Sequence, residues 1–192
     1  MEKFFGSLVM LLILLTSTAA FAAYTETVEE DADIASIKRL AIDLPEYYKV
    51  EEAEPTIETF TENFYTVSKA ARCYVISYEE IVNNIKKDTG VDITALNYME
   101  RKKAYRANVG KYADAFVVAT VANNSSKPQF FFEVRNAKDS SMLYVLSSQS
   151  SDIGKNEKDY MKACEDFYKK FDAAAEKNLK DSKKKDKKKD KE

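Results

Sequence analysis

The 192-residue sequence has no histidine and no tryptophan, and it has only two cysteines and four glycines. Without histidine there is no Ser-His-Asp or Cys-His catalytic machinery, no imidazole metal ligand and no side chain with an ordinary pKa near neutrality. The few glycines leave no glycine-rich loop that would hold a phosphate. We therefore expect no catalytic residue, no metal and no cofactor.

The composition nevertheless suits a folded protein. Hydrophobic residues make up 45% of the sequence and aromatic residues 12%, which is enough for one sizeable core. The formal net charge is −2, but it is unevenly distributed. Residues 177–192 hold nine lysines and four acids, a local +5, whereas residues 23–176 carry −7. The sequence therefore predicts an acidic domain with a basic tail.

The first 22 residues have the pattern of a secretory signal peptide. Lys3 precedes an apolar run over residues 8–15, and residues 20–22 read Ala-Phe-Ala, the A-x-A pattern that signal peptidase cleaves. The run is shorter than the ~20 residues that cross a bilayer. The first cysteine is Cys73, so no lipid-modified cysteine is expected near the cleavage site. We predict residues 1–22 to be removed, an exported periplasmic or secreted protein, and no transmembrane segment after processing.

Two polar segments flank the expected domain. We predict a flexible acidic segment over residues 23–35 and a single α/β domain over 36–176. We also predict that the lysine-rich tail, residues 177–192, is disordered, because residues 183–190 have no apolar side chain to offset the entropy lost on ordering. The tail is either a solvated extension or an electrostatic tether to an anionic polymer or membrane surface. Nucleic acid is disfavoured, since the tail has no aromatic side chain to stack on bases. The candidate tether residues are Lys183, Lys184, Lys185, Lys187, Lys188 and Lys189.

Within the domain, the period of the apolar pattern switches between helix and strand. Ser77 and Glu80 form a capping box, and Gly90 ends that helix. The predicted strands cover residues 37–43, 73–77, 116–122, 129–135 and 142–148, and the predicted helices cover 55–72, 78–90 and 92–109. A last amphipathic helix has one buried face, formed by Tyr160, Cys164, Phe167, Phe171 and Ala174.

This order, βαβα(α)βββα, predicts an α/β fold, more exactly described as an α+β two-layer sandwich with a mixed five-stranded sheet covered by helices. Two helical crossovers should place the first two strands parallel beside the third. Short polar turns at residues 123–128 and 136–141 make the last three strands an antiparallel meander.

Three segments resemble a known group of domains. The strands at residues 37–42 and 74–77 and the Gly-Lys-Tyr-Ala-Asp-Ala-Phe-Val-Val stretch at 110–118 resemble the amino-terminal α/β domain of TolB and the related CsgG-type periplasmic domain of curli secretion. The resemblance spans residues 34–176, and Asp-Ser-Ser at 139–141 replaces the turn glycine that is usual in the group. It implies a role in envelope assembly or protein–protein contact, and no catalytic residue carries over.

Cys73 and Cys164 allow two interpretations. An even pair in an exported protein favours a disulfide, which would close a loop of about 90 residues. Their apolar surroundings in the sequence equally favour two buried free thiols.

A candidate partner-binding segment follows the first predicted strand, at the end of the sheet where open α/β folds bind ligands. Adjacent tyrosines cannot both point inward, so one of Tyr47 and Tyr48 is expected to be an exposed anchor, followed by Glu51 and Glu52. The alternative is that one tyrosine covers the edge of the core and the acids are solvated. A calcium site in the acidic runs is disfavoured, because no D-x-D-x-D-G loop is present.

The function favoured by these observations is that of an exported, non-catalytic envelope protein that acts as an interaction or assembly module, with an envelope protein as its partner. A periplasmic carrier of a small ligand is the alternative, and a hydrolase that uses a pair of carboxylates is the least favoured. A carrier should have an apolar pocket, whereas a contact module should have a flat surface.

Overall fold

The computed structural model describes residues 23–48, 55–124, 127–149 and 156–189. The strands are β1 Ala23–Val28, β2 Arg39–Ile42, β3 Glu46–Tyr48, β4 Tyr74–Ile76, β5 Ala115–Asn124, β6 Lys127–Asn136 and β7 Met142–Gln149. The α-helices are α1 Ile57–Thr66, α2 Tyr78–Thr89, α3 Tyr98–Asn108 and α4 Glu157–Lys189. Short 3-10 helices cover Ile34–Ser36, Val67–Ala70, Ile93–Ala95 and Val109–Lys111.

All the described strands belong to one mixed sheet with the order β1-β7-β6-β5-β2-β4, and β3 also pairs with β5. β2 is parallel to both β4 and β5, whereas β5, β6 and β7 form an antiparallel meander. The α/β class, the parallel start and the meander are as predicted from the sequence. The described sheet has seven strands instead of five, because β1 and β3 were not predicted.

β1 lies in the segment that was predicted to be flexible, so that prediction is wrong for residues 23–28. The strand pairs antiparallel with β7 from Ala23 to Val28. Its threonines and Tyr24 favour extended structure, and the Tyr24 hydroxyl donates a hydrogen bond of 2.8 Å to the Asp166 carboxylate on α4. The main run of acids, residues 29–31, lies in the turn that follows the strand.

The helices cover both faces of the sheet, which corrects the expected two-layer arrangement. On one face, the side chains of α1 and α4 pack on Leu40, Ile42 and the alternate residues of β5 and β6. On the other face, α2 and α3 pack on Ala41, Ile76 and Phe116. Successive side chains of a strand point to opposite faces, so both faces of β2 are buried. This agrees with the near-continuous apolar sequence of the strand.

Local capping fixes the helices around β2. Ser77 accepts a hydrogen bond from the Glu80 backbone N–H and so begins α2, and Gly90 ends it with φ of 73°. The helix predicted over 92–109 is instead two elements, because Leu96 adopts an extended conformation after the turn that Asp92 caps. Asn97 then caps α3 by accepting a hydrogen bond from the Glu100 N–H.

The segment between α3 and β5 lies close to the start of β2 and to the turn after β6. A Cβ atom on Gly110 would lie 2.7 Å from the Ala137 carbonyl oxygen, so this close approach requires glycine. The Asp114 carboxylate accepts hydrogen bonds of 3.0 Å from the backbone N–H groups of Lys38 and Arg39, which fixes the start of β2 beside β5. The Gly-x-x-Ala-Asp stretch therefore has a structural role in this fold.

Helix α4 buries the face predicted for it, and Tyr160, Cys164, Phe167 and Phe171 have no exposed surface. The helix continues to Lys189, so the tail is helical to that residue where the sequence analysis predicted disorder. Alanine, leucine and lysine favour helices, and the packed part of α4 supplies the nucleus from which the helix extends.

Candidate functional site

The candidate site begins where the chain leaves β2. β2 and β3 pair with successive parts of β5: Ile42 is opposite Val117, and Glu46 is opposite Thr120. The chain advances four residues from Ile42 to Glu46, whereas the paired part of β5 advances only three residues. The extra residue acts like a β-bulge at the carboxyl end of β2. Bulges redirect side chains and are frequent beside binding sites.

The two adjacent tyrosines point to opposite faces, as their alternation predicts. Tyr47 is half-buried and packs edge-on against Phe60 of α1, with 6.1 Å between the ring centroids. Tyr48 is 59% exposed. Tyr47 therefore covers the edge of the core and Tyr48 is exposed, whereas partner binding by this pair stays a prediction.

Helix α3 forms the opposite wall. Tyr98, Lys102 and Arg106 recur at intervals of four residues and share one side of the helix, with Met99 and Lys103 in the neighbouring row. The Tyr98 hydroxyl donates a hydrogen bond of 2.9 Å to the Pro45 carbonyl. Tyr105, on the buried side, donates one of 2.6 Å to the Ile42 carbonyl. These two bonds hold α3 against the turn that joins β2 to β3.

The space between these walls is a groove of about 750 Å³, which we call the β3 groove. Its apolar surface comes from three tyrosines, Ile57 and Met99, and its polar groups lie on the α3 side. Met99 is 72% exposed and Tyr98 37% exposed, so much of the apolar lining faces solvent. The lining residues are Glu46, Tyr47, Tyr48, Ile57, Tyr98, Met99, Lys102, Lys103 and Arg106.

A network of charged groups lies at the base of the β3 groove. The Asp43 carboxylate is buried and pairs with the Arg106 guanidinium at 2.8 Å, while its other oxygen accepts a hydrogen bond from the Leu44 N–H. The Glu46 carboxylate pairs with the Lys102 ammonium, and Arg106 lies 3.5 Å from the same oxygen. Lys102 also donates a hydrogen bond of 3.3 Å to the Leu44 carbonyl. Each buried charge therefore has a partner, as burial requires.

The two carboxylates have opposite pKa shifts. Burial raises the pKa of Asp43 above its ordinary value, although Lys102 and Arg106 counteract part of the effect. Burial also acts to raise the pKa of Glu46, but the hydrogen bond and charge of Lys102, together with Arg106, lower it below its ordinary value. Burial and the nearby Glu46 and Asp43 carboxylates raise the pKa of Tyr98 to about 12. Tyr98 is therefore a neutral hydrogen-bond donor at physiological pH.

The structure describes only some of the site residues that the sequence predicts. Tyr47 and Tyr48 lie in the β3 groove, whereas Glu51 and Glu52 lie outside the described residues. Lys102, one of three successive basic residues in the sequence of α3, is only 5% exposed. Asp43, Glu46 and Met99 were missed, because no motif marks them. The spacing of Tyr98, Lys102 and Arg106 was the one available signal, since an aromatic residue and two cations at intervals of four share one helix face.

The two cysteines are free, buried thiols in the structure. This matches the second of the two interpretations and not the disulfide. Burial, followed by the nearby Asp172 charge, raises the pKa of the Cys73 thiol to about 11. Burial raises the pKa of Cys164 well above its ordinary value. Both groups are thus neutral apolar parts of the core.

The described part of the chain has neither a metal-binding cluster nor a helix that could span a membrane. Within it, Asp, Glu and Cys side chains do not gather in groups of three or more that would hold a metal ion. None of the helices in the same ranges combines the length and the apolar character needed to cross a membrane. Lys183 and Lys184 are exposed on α4, and the helix includes the backbone of the other candidate tether lysines.

Comparisons with known proteins give weak structural similarities. No family model matches the chain, and no curated protein matches it significantly. Solved structures that are similar include the LpoB C-terminal domain from Escherichia coli, with 12% identity, a TM-score of 0.43 and coverage of 74% of this chain and 94% of that one. A PelC dodecamer from Paraburkholderia phytofirmans has 8% identity and a TM-score of 0.47 over 79% and 98% of the two chains. A lipoprotein from Neisseria meningitidis has 13% identity and a TM-score of 0.35 over 60% and 83%.

Proposed function

We propose that this chain is an exported, non-catalytic envelope protein that binds a partner protein through the β3 groove. The predicted signal peptide and the resemblance to envelope-assembly domains support the location of the protein in the envelope. The observation that carries it is the exposure of Tyr48, Tyr98 and Met99 around one groove. Tyrosine, methionine and arginine are the residue types enriched in the centres of protein interfaces.

The charges of the β3 groove favour a particular kind of partner. Three cations, Lys102, Lys103 and Arg106, line it with one carboxylate, Glu46. The buried Asp43 carboxylate offsets the positive charge of Arg106. Lys103 therefore remains as an excess positive charge on the exposed rim of the groove. The best complement is a partner segment that places an apolar side chain among the tyrosines and a carboxylate beside Lys103.

The buried position of Asp43 argues against a hydrolase based on this carboxylate pair. Its side chain is 0% exposed, so the acid with the raised pKa has no path to a substrate. The carboxylate of Glu46 is already held by Lys102. Because both carboxylates hold a turn against a helix, this pair supports a structural role better than a catalytic one.

A small-ligand carrier remains the second candidate, because a pocket and not a flat surface was expected of a carrier. A volume of about 750 Å³ falls within the range of ligand pockets, and the lining is mainly apolar, as a carrier requires. A carrier should unfold at a higher temperature in the presence of its ligand. A thermal-shift screen of small amphiphilic carboxylates against the purified protein therefore separates the two functions: a dose-dependent increase in Tm that the Tyr48→Ala substitution removes would favour the carrier.

The partner-binding proposal is tested by affinity capture from an envelope extract, followed by a wash at high salt. The double variant Tyr48→Ala/Met99→Ala removes the two most exposed apolar groups of the β3 groove. The matched control is Tyr74→Ala/Val91→Ala, which removes a tyrosine and an aliphatic residue that are 58% and 49% exposed elsewhere on the surface. We expect the groove variant to lose a partner that the wild type and the control both retain at high salt.

Equal capture by both variants would refute the role of the groove. The charge argument has a separate test in Lys103→Glu, with the exposed Lys87→Glu as its control. Only Lys103→Glu should slow association with the captured partner, and the effect should be largest at low salt, because rim charges act mainly on the association rate.

A further inference from the structure

Helix α4 extends beyond the domain that it packs against. Ala174 and Ala175 are the last fully packed residues of the helix, and the Asn178 side chain donates a hydrogen bond of 2.9 Å to the Ala32 carbonyl. From Leu179 onward every residue whose side chain is described is exposed. At 1.5 Å per residue, Lys184 lies about 9 Å further along the axis than Asn178.

The extension presents its lysines on one side. Lys177, Lys180 and Lys184 are separated by three and four residues and therefore share one helix face, and Lys183 lies beside that row. The packed residues Phe171, Ala174 and Asn178 form a second row, about 120° from the lysine row around the helix axis. The lysine row consequently points away from the domain. All four lysines are exposed.

The acidic groups near this row compensate it only partly. Asp181 is the one acid of residues 177–184, and it lies 3.5 Å from Lys184 in a pair whose side chains are 53% and 78% exposed. Such exposed pairs contribute little and are easily exchanged for other partners. The domain carries −7 over residues 23–176. Its exposed Glu176 is four residues before Lys180 and therefore lies beside the row, so residues 176–184 combine four lysines with two acids.

We propose that the lysine face of α4 binds an anionic phospholipid surface, independently of the β3 groove. A straight row of ammonium groups on a rigid helix matches a flat array of headgroup phosphates, and each lysine held at such a surface contributes about 5-fold in affinity. Leu179, which is 46% exposed, lies at the edge of this face. The negative domain is repelled by the same surface, so the helix tip approaches it first.

The experiment is flotation of the full purified chain with vesicles of phosphatidylcholine and phosphatidylglycerol at a 3:1 ratio, at 0.1 M and 0.5 M NaCl. The test variant replaces Lys177, Lys180, Lys183 and Lys184 by glutamine. The control variant replaces the exposed lysines of the packed part of the same helix, Lys158, Lys162, Lys169 and Lys170, by glutamine, and so loses the same charge. We expect the test variant to bind about 600-fold more weakly, which is about 5-fold for each of the four lysines, and the control to bind within about threefold of the wild type.

Four results would overturn the proposal: equal loss in both variants, retained binding in the test variant, equal binding of the wild type to vesicles of phosphatidylcholine alone, or no flotation of the wild type. Binding to soluble polyphosphate without binding to vesicles would also overturn it, because the surface is then not the ligand. Replacement of the same four lysines by arginine should restore flotation. Because the extension lies outside the core, the Tm of the test variant should equal that of the wild type.

Discussion

The two faces of the sheet bury different kinds of side chain. Between the sheet and helices α1 and α4 the core is a continuous aromatic cluster, in which Phe167 stacks on Phe132 at 4.8 Å and on Phe171 at 5.8 Å. Between the sheet and helices α2 and α3 the core is smaller and mainly aliphatic, and Asp43 and Lys102 are buried at its edge. We therefore expect the first face to carry most of the stability, whereas the second accommodates buried charges and the candidate site.

The comparison is tested most strongly by shortening one large side chain on each face. Phe167→Ala should reduce the free energy of unfolding by about 4 kcal/mol, because the ring is fully buried among other rings, and Ile85→Ala on the α2 side by about 2.5 kcal/mol. Urea unfolding at equilibrium measures both values. Equal losses would show that the two faces contribute alike.

A second prediction concerns the buried carboxylate on the polar face. Because the pKa of Asp43 is raised in the folded protein, the folded state binds more protons than the unfolded state above the ordinary value of 3.8. This contribution to stability is therefore present at low pH and is lost as the pH rises through the folded pKa. Asp43→Asn removes it, so the variant should gain stability relative to the wild type over the pH window that begins at 3.8 and extends upward through the folded pKa.

Urea unfolding of both proteins at four pH values in that window provides the measurement. The Glu46 carboxylate, whose pKa is lowered, contributes stability above its ordinary value and loses it at lower pH. Its contribution is common to both proteins and largely cancels in the difference. A difference in free energy that does not change with pH would contradict the assignment.

The smallest expected effect distinguishes residues for binding from residues for folding. Met99→Ala should change the free energy of unfolding by less than about 0.5 kcal/mol, since the side chain is 72% exposed. Urea unfolding of this variant, with wild type measured in parallel, checks the value. A loss above 1 kcal/mol would mean that Met99 supports the fold and would weaken the case for the β3 groove.

Sequence patterns predicted the elements with strong periodicity. The capping box at Ser77, the left-handed Gly90 and the alternation of Phe130, Phe132 and Val134 all lie in the structure as expected. Long-range partners decided the elements that were missed. β1 is stabilised by its pairing with β7, which its own short sequence does not reveal.

The candidate site was only partly predictable for the same reason. Tyr47 and Tyr48 were accessible to sequence reasoning because adjacent strand residues alternate. Lysine is rarely buried unless it is paired, so the burial of Lys102 could be deduced only from its distance to Glu46 and to the Leu44 carbonyl. These partners are separated by more than fifty residues along the chain.

The aromatic cluster is assembled from both ends of the domain. The Tyr24 hydroxyl at the start of β1 donates a hydrogen bond to Asp166. Phe167 on α4 packs against Phe171 and against the phenylalanines of α1 and β6. A chain emerging from the ribosome exposes Phe60, Phe64, Phe130 and Phe132 until the last helix has been made. A chain that lacks α4 would therefore leave these rings uncovered, as an open aromatic surface accessible to chaperones and proteases.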